Sequence, residues 1–260
     1  MPALPDNFAD PIYQDATRYD AEHWWKTDDL PFWKKMAARH GPRVLELAAG
    51  TGRLAPSILA AGASYTGVDI SAPFLEQAAA NLAGEGSAVK LLRADMRSFD
   101  LGDTFDLILI GFNSFLHLLT DEDALAALAR ARVHCHPRTR LAIDIFVPDP
   151  LFLYRPANRR VEAMRYTDPA TGESVIVEES NRYDPERELN HIRWTYSTEN
   201  RRDFLEYEFV MRMYYPDTMD RLLHEAGFRV ASKWGDYDET PLAPGSALQL
   251  YVAVPDSAAE

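Results

Sequence analysis

Three acids and one run of small residues set the chemistry open to this chain. Glu46 stands inside the apolar stretch Val44-Leu45-Glu46-Leu47-Ala48-Ala49, just ahead of Gly50-Thr51-Gly52-Arg53-Leu54-Ala55. Small residues in such a turn remove the side chains that would block a ligand, so it can lie against backbone where a helix begins. Asp69 closes the stretch Tyr65-Thr66-Gly67-Val68-Asp69-Ile70, at a spacing where a carboxylate accepts from two ribose hydroxyls. Ala94-Asp95-Met96 ends a third apolar run. There the acid suits the exocyclic amine of an adenine, and the thioether suits the ring face. These features predict a ligand that carries a nucleoside. Residues 50–55 also satisfy the dinucleotide pattern G-x-G-x-x-G/A. Glu46 argues against that ligand, because it would repel a pyrophosphate and attract a ligand with a cationic amino group.

A second group follows the fourth apolar run, in Gly111-Phe112-Asn113-Ser114-Phe115-Leu116-His117-Leu118. Ligands of open parallel sheets bind at that edge. His117 is the candidate base, against the alternative of a histidine packed inside the following helix. Asn113 is the candidate for orienting an acceptor, against the alternative of a turn residue bonded to local backbone. Tyr19 is a weaker catalytic candidate. His134-Cys135-His136 invites a metal reading, but neighbouring residues point to different sides of the backbone, so no metal site is expected.

The elements that must position these residues alternate in type. Apolar runs at 43–48, 64–70, 89–93, 105–111 and 140–146 read as strands buried on both faces. Helical segments at 53–61, 72–83 (capped by Ser71) and 121–134 (capped by Thr120) lie between them. The rhythm implies a parallel sheet with right-handed crossovers. Residues 1–40 are rich in aromatics and are read as a helical lid, with Tyr13 or Tyr19 turned inward; the plainer alternative is a helix packed on the core. Asp28 or Asp29 would cap a helix over Leu30 to Ala38. Residues 151–213 hold four extended stretches, 159–166, 174–183, 189–198 and 203–213, joined by short turns, and are read as an antiparallel insert. Its many arginines alternate with acids, which predicts a solvated, salt-bridged face. Core character returns over 214–260. Asp217 or Thr218 caps a helix from Met219 to Ala226, and Phe228 to Trp234 and Leu248 to Val254 form a hairpin on one sheet edge. The core is thus 41–150 plus 214–260.

The sequence has 260 residues, a formal charge of −13 and one cysteine, Cys135. Such charge repels nucleic acid and anionic membranes on average, so a small molecule is the expected acceptor. A lone cysteine forms no internal disulfide and suits a cytoplasmic protein. The first residues show neither the basic region nor the apolar run of a signal peptide, and no stretch approaches a membrane span.

The order Glu46-Leu-Ala-Ala-Gly-Thr-Gly52, Gly67-Val-Asp69-Ile-Ser71, Ala94-Asp95-Met96 and Phe105-Asp106-Leu-Ile-Leu-Ile110 resembles class I S-adenosylmethionine-dependent methyltransferases, over 43–147 and 214–255. The resemblance implies an α/β fold with a doubly wound, mostly parallel seven-stranded sheet whose last strand is antiparallel, here with an inserted antiparallel β-sheet. It implies S-adenosylmethionine as cofactor and S-adenosylhomocysteine as product, held by Glu46, Ala48, Gly50, Gly52, Asp69, Ile70, Asp95 and Met96. Residues 111–118 are similar to the corresponding loop of glycine N-methyltransferases, and the insert to that of small-molecule and sugar-amine N-methyltransferases. Ala48 stands where the family has its first glycine. Phe146 falls near the position of an arginine that clamps an amino-acid carboxylate. Without that clamp the expected acceptor is larger and more apolar than glycine. The expected activity is methyl transfer to a small molecule, on nitrogen ahead of oxygen, with the insert as either a roof over the acceptor or a homodimer contact. Two other readings stay open: a non-catalytic protein that binds the cofactor or its product, and a nicotinamide-dependent oxidoreductase.

Overall fold

Alternation along the strands sorts their side chains onto two buried faces. In β1 (Arg43–Leu47), Leu45 and Leu47 share a core with Val68, Ile108, Ile110 and Ile143. Val44 points the other way, into a core with Tyr65, Leu107, Leu109 and Ala142. A sheet covered on both faces is what near-continuous apolar strands require. The computed structural model describes residues 10–256. Its main sheet joins β1 to β2 (Ser64–Asp69), β3 (Val89–Arg93), β4 (Phe105–Ile110), β5 (Cys135–Phe146), β10 (Phe228–Trp234) and β11 (Leu248–Pro255). The order is β10-β11-β5-β4-β1-β2-β3. β1 pairs in parallel with both β2 and β4, so the strand order reverses there and leaves a crevice at the carboxyl ends. β11 runs antiparallel to both neighbours, β5 and β10. The terminal hairpin does sit at one edge, but the last strand is its inner member and β10 is the edge.

Helices α2 (Leu30–His40) and α3 (Ala55–Leu59) cover the Val44 face, and α5 (Asp121–Val133) and α7 (Pro216–Glu225) the Leu45 face. Ser71 and Thr120 accept the expected cap bonds, from the N–H groups of Phe74 and Asp123. Asp29 occupies the N-cap position of α2 but makes no cap bond. Its carboxylate instead takes two nitrogens of Arg53 at 2.7 and 2.8 Å, a bidentate charged pair that outcompetes a single neutral N–H. α7 begins at Pro216, ahead of both residues expected to cap it, because proline is pre-set for the first helical position. α2 belongs to the layer on the sheet, with Trp33 and Met36 fully buried. Among the described residues 10–40 only members of the segment 10–25 reach the cavity described below, and residues 1–9 of the expected lid lie outside the described residues.

The insert is an antiparallel meander of β6 (Val161–Thr167), β7 (Ser174–Asp184), β8 (Leu189–Ser197) and β9 (Leu205–Arg212). Its outward side carries ion pairs such as Arg160 with Asp203 and Arg165 with Glu162. Its inner side buries Tyr166, Val177 and Tyr196. The short helix α6 (Pro150–Leu153) leads into it, and α1 (Ala16–Glu22) packs on β6 and on α4 (Ala72–Asn81). Among the described residues no helix is long and apolar enough to cross a membrane.

Candidate active site

A cavity of about 860 Å³ opens where five parallel strands end. Its floor comes from the turns after β1 to β5: Ala48 and Gly50, Asp69 and Ile70, Asp95 and Met96, Asn113 and His117, and Phe146. Its far wall comes from Tyr13, Tyr19 and Trp25 on one side and from the insert on the other, with Met164, Trp194, Phe209 and Met211. The sequence candidates are therefore mostly brought together, with two exceptions.

The turn after β1 places three residues in the left-handed region: Ala48 at φ 57°, Gly50 at 58° and Gly52 at 79°. Glycine adopts this conformation freely, whereas alanine there costs about 1 kcal/mol or more. The turn aims the Gly50 N–H at Asp69 Oδ2, at 2.8 Å, while Oδ1 accepts from the Ser71 N–H at 2.8 Å. Burial pushes the Asp69 pKa up, against the pull of these N–H groups. Each oxygen keeps a lone pair for a further donor, which is what two ribose hydroxyls need. Gly52 is absent from the cavity wall. A Cβ there would stand 3.0 Å from Leu82 Cδ1 and 3.4 Å from Ala78 Cβ, so the residue lets the turn pack against α4 and its following residue.

Glu46 is the second exception. It alternates with Leu45 and Leu47 and so shares the face of Val44, behind the turn rather than on the wall. Its Oε2 accepts from the Tyr65 hydroxyl at 2.6 Å. Burial, only partly opposed by that bond and by Arg53, pushes its carboxyl up to about 8. Asp95 reaches the cavity but is engaged: Oδ1 accepts from the backbone N–H of Arg97 at 2.8 Å, and Oδ2 from Nη2 at 2.6 Å. Burial raises its pKa, but these bonds outweigh burial and hold it below the usual carboxylate range.

The loop after β4 turns through two more left-handed residues, Phe112 at φ 50° and Asn113 at 65°. β5 holds it in place. Asn113 donates its N–H to the Asp144 carbonyl at 3.0 Å, and its Oδ1 accepts from the Phe146 N–H at 2.8 Å. Asn113 thus ties the loop to β5 with its oxygen and lines the cavity as well. His117 is half-buried, and its Nε2 lies 2.8 Å from the Tyr13 hydroxyl. Burial lowers its pKa to about 4, so the imidazole is neutral at neutral pH and a weak base. The Tyr13 carbonyl accepts from Ser71 Oγ at 2.7 Å, stitching the N-terminal segment down beside Asp69. Tyr19 lies over Phe74, with ring centroids 4.8 Å apart, and its hydroxyl makes no hydrogen bond among the described residues. His134 and His136 lie elsewhere. The His134 ring bonds the Arg130 carbonyl and the Leu101 N–H, and His136 Nε2 is 3.0 Å from Asp106.

Sequence reasoning missed Arg97, although Asp-x-Arg spacing was there to be read, and it missed the buried group Arg155, Glu179 and Trp194 on the insert side. No local signal marks that group, because it meets only when α6, β7 and β8 pack.

Residues 44–138 match a family described as a methyltransferase domain. A glycine/sarcosine/dimethylglycine N-methyltransferase of Actinopolyspora halophila is 29% identical over 232 residues, 83% of this chain. This chain spans only 38% of that relative's length. A glycine/sarcosine N-methyltransferase of Aphanothece halophytica is 25% identical over 237 residues, covering 90% of this chain and 84% of the relative. Among solved structures, the CcbJ methyltransferase of Streptomyces caelestis superposes with a TM-score of 0.77 at 20% identity, covering 94% of this chain and all of the other. The sugar N-methyltransferase KedS8 of Streptoalloteichus gives 0.72 at 17% identity, over 99% and 98%. The family match falls on β1 to β4 and the turns after them, which supply most of the cavity floor, and the fold is the one these solved neighbours share.

Proposed function

We propose that this protein transfers a methyl group from S-adenosylmethionine to a nitrogen of a small-molecule acceptor. The observation that carries the reading is that one cavity joins the Asp69 cradle to an apolar chamber under the insert. The residues present fit the cofactor. Asp69 would take the ribose hydroxyls, its two oxygens already oriented by backbone N–H groups. Gly50 and Ala48 would lie against the amino-acid end, and Ile70 and Met96 against the adenine. Asp95 would receive the adenine amine once Arg97 swings away, a move for which Arg97 already has a second partner in Asp123 at 2.6 Å. Glu46 lies behind the turn, protonated at neutral pH, and the cofactor's cationic amino group would favour its ionised form there.

When bound, the cofactor supplies a methyl group already activated on a sulfonium. The chain then has to align the acceptor and exclude water. The segment Pro11 to Trp25 and the insert would do both, as lid and roof. His117, with a pKa near 4, holds no proton at neutral pH. A hydroxyl acceptor would need a stronger base, whereas an amine that arrives neutral needs none. This favours nitrogen, as in the named relatives. Phe146 on the wall, in place of a cation, favours an acceptor larger and more apolar than glycine. The acidic charge and single cysteine support a cytoplasmic enzyme without affinity for nucleic acid.

Calorimetry with S-adenosylmethionine, followed by transfer of labelled methyl to a panel of amines and phenols, tests the reading. Micromolar binding is expected, and Asp69→Asn should weaken it by about 50-fold or more, since hydrogen bonds to a carboxylate are lost. No binding at millimolar cofactor would sink the proposal.

A further inference from the structure

The insert side of the cavity is mostly apolar; besides the exposed Glu162, which pairs with Arg165, it carries one buried polar group. Arg155 stands there with its side chain 8% exposed, and its guanidinium carbon lies 4.3 Å from the centre of the Phe152 ring. Its Nη2 pairs with Glu179 Oε1 at 2.5 Å, and its Nε donates to Asn181 Oδ1. Glu179 Oε2 accepts from Trp194 Nε1 at 2.9 Å. Asn181 is itself held, by the Leu153 carbonyl at 3.2 Å and Asn190 Oδ1 at 2.9 Å. This network fixes the guanidinium in one orientation. Its third nitrogen, Nη1, has no partner among the described residues, yet it is not among the sealed, unpartnered polar atoms of the interior. An open donor on a cavity-lining, otherwise saturated arginine is placed to meet a ligand.

The charge around it says which ligand group. Glu179 already neutralises Arg155, in a site where two carboxylates would face each other through little solvent. A carboxylate brought to Nη1 would meet that repulsion, but an uncharged oxygen would not.

We propose that Arg155 is a specificity-determining residue that donates from Nη1 to a hydroxyl or carbonyl oxygen of the acceptor, and that its pairing with Glu179 excludes a carboxylate from the same place. The acceptor is then an amine with an apolar frame and a neutral oxygen set away from the nitrogen. This rests on the methyl-transfer reading above.

Three amines on one ring provide the test: cyclohexylamine, trans-4-aminocyclohexanol and trans-4-aminocyclohexanecarboxylate. Their binding is measured by calorimetry on protein saturated with S-adenosylhomocysteine. The alcohol should bind about tenfold more tightly than the parent amine, and the acid more weakly than either. Arg155→Met should abolish the preference for the alcohol. Glu179→Gln, which keeps a carbonyl for Trp194 but leaves Arg155 uncompensated, should lift the acid above the alcohol. Equal binding of alcohol and parent amine, or binding of neither, overturns the proposal, as does an acid that stays weakest in Glu179→Gln. Uptake of S-adenosylhomocysteine by each variant shows that it is folded. Failure of that uptake in the unaltered protein counts against the methyl-transfer reading instead.

Discussion

Replacing Glu46 with glutamine should leave stability nearly unchanged in acid and raise it in alkali. Glu46 is 4% exposed, and burial is the largest reason its carboxyl rises from an ordinary 4.5 to about 8. A carboxyl raised in this way favours the folded state only while it is protonated. Its cost begins as pH rises past the unfolded value near 4.5 and levels off above about 8. Across that window the ionised form becomes harder to keep inside by about 1.4 kcal/mol per pH unit, reaching at most about 5 kcal/mol. Glutamine is never ionised, and its carbonyl still accepts from the Tyr65 hydroxyl, so the variant escapes this cost. Urea unfolding followed by tryptophan fluorescence at about pH 5.5 and pH 8.5 reads the effect. The advantage of the variant should widen by about 3 kcal/mol between the two. Stability curves for the two proteins that run parallel from pH 5 to 9 would refute the assignment of Glu46 as a buried, neutral acid. They would also revive it as a residue exposed to the cofactor.

Ala48→Gly should relieve the left-handed alanine and stabilise the protein by about 0.5–1 kcal/mol net of the extra unfolded-state entropy, a rise of about 1–4 °C in Tm by calorimetry. Cofactor affinity should hold or improve. Gly52→Ala should instead destabilise by about 1–3 kcal/mol, since the left-handed φ of 79° and Leu82 both oppose a methyl group. Cofactor affinity measured on the folded fraction should stay within a few-fold, because Gly52 is packing and not cradle. The rise of kcat/KM with pH should follow the acceptor amine and not His117. His117→Gln should leave the inflection in place while a less basic amine moves it to lower pH, and an inflection that vanishes in the variant would make His117 the base after all.

Much of the fold could be read from periodicity. The strands at 64–69, 89–93, 105–110 and 228–234 lie within a residue of where the apolar runs put them, because a strand buried on both faces has little freedom of composition. The site was harder. The place of Asp69 was legible because it stands at a strand end beside the turn after β1, and its partners Gly50 and Ser71 are fixed by the same turns. Glu46 lies behind the cavity wall and not on it, because it takes the face of Val44, and the alternation with Leu45 and Leu47 held that information. Asp95 was expected to face an adenine amine, and in the structure a cation two residues away engages it. Asp29 was expected to cap a helix, and Arg53 takes it instead. In each case a charged partner set the outcome, and charge pairing across a fold leaves no periodic trace. The partnership of Tyr13 with His117, 104 residues apart, leaves none either.

The inner position of β11 bears on how the chain is made. β5 and β10 are both finished before residues 248–255 emerge during synthesis, yet neither has its final neighbour until that last segment slides between them. Until then the edge of β5 stands open and β10 has no strand beside it, and that free edge is a template for any other extended segment nearby. Closure pairs Leu248 with Phe146, about a hundred residues upstream, so it is also among the slower contacts to form. A ribosome stalled just short of residue 248 would hold a chain that is sticky rather than folded.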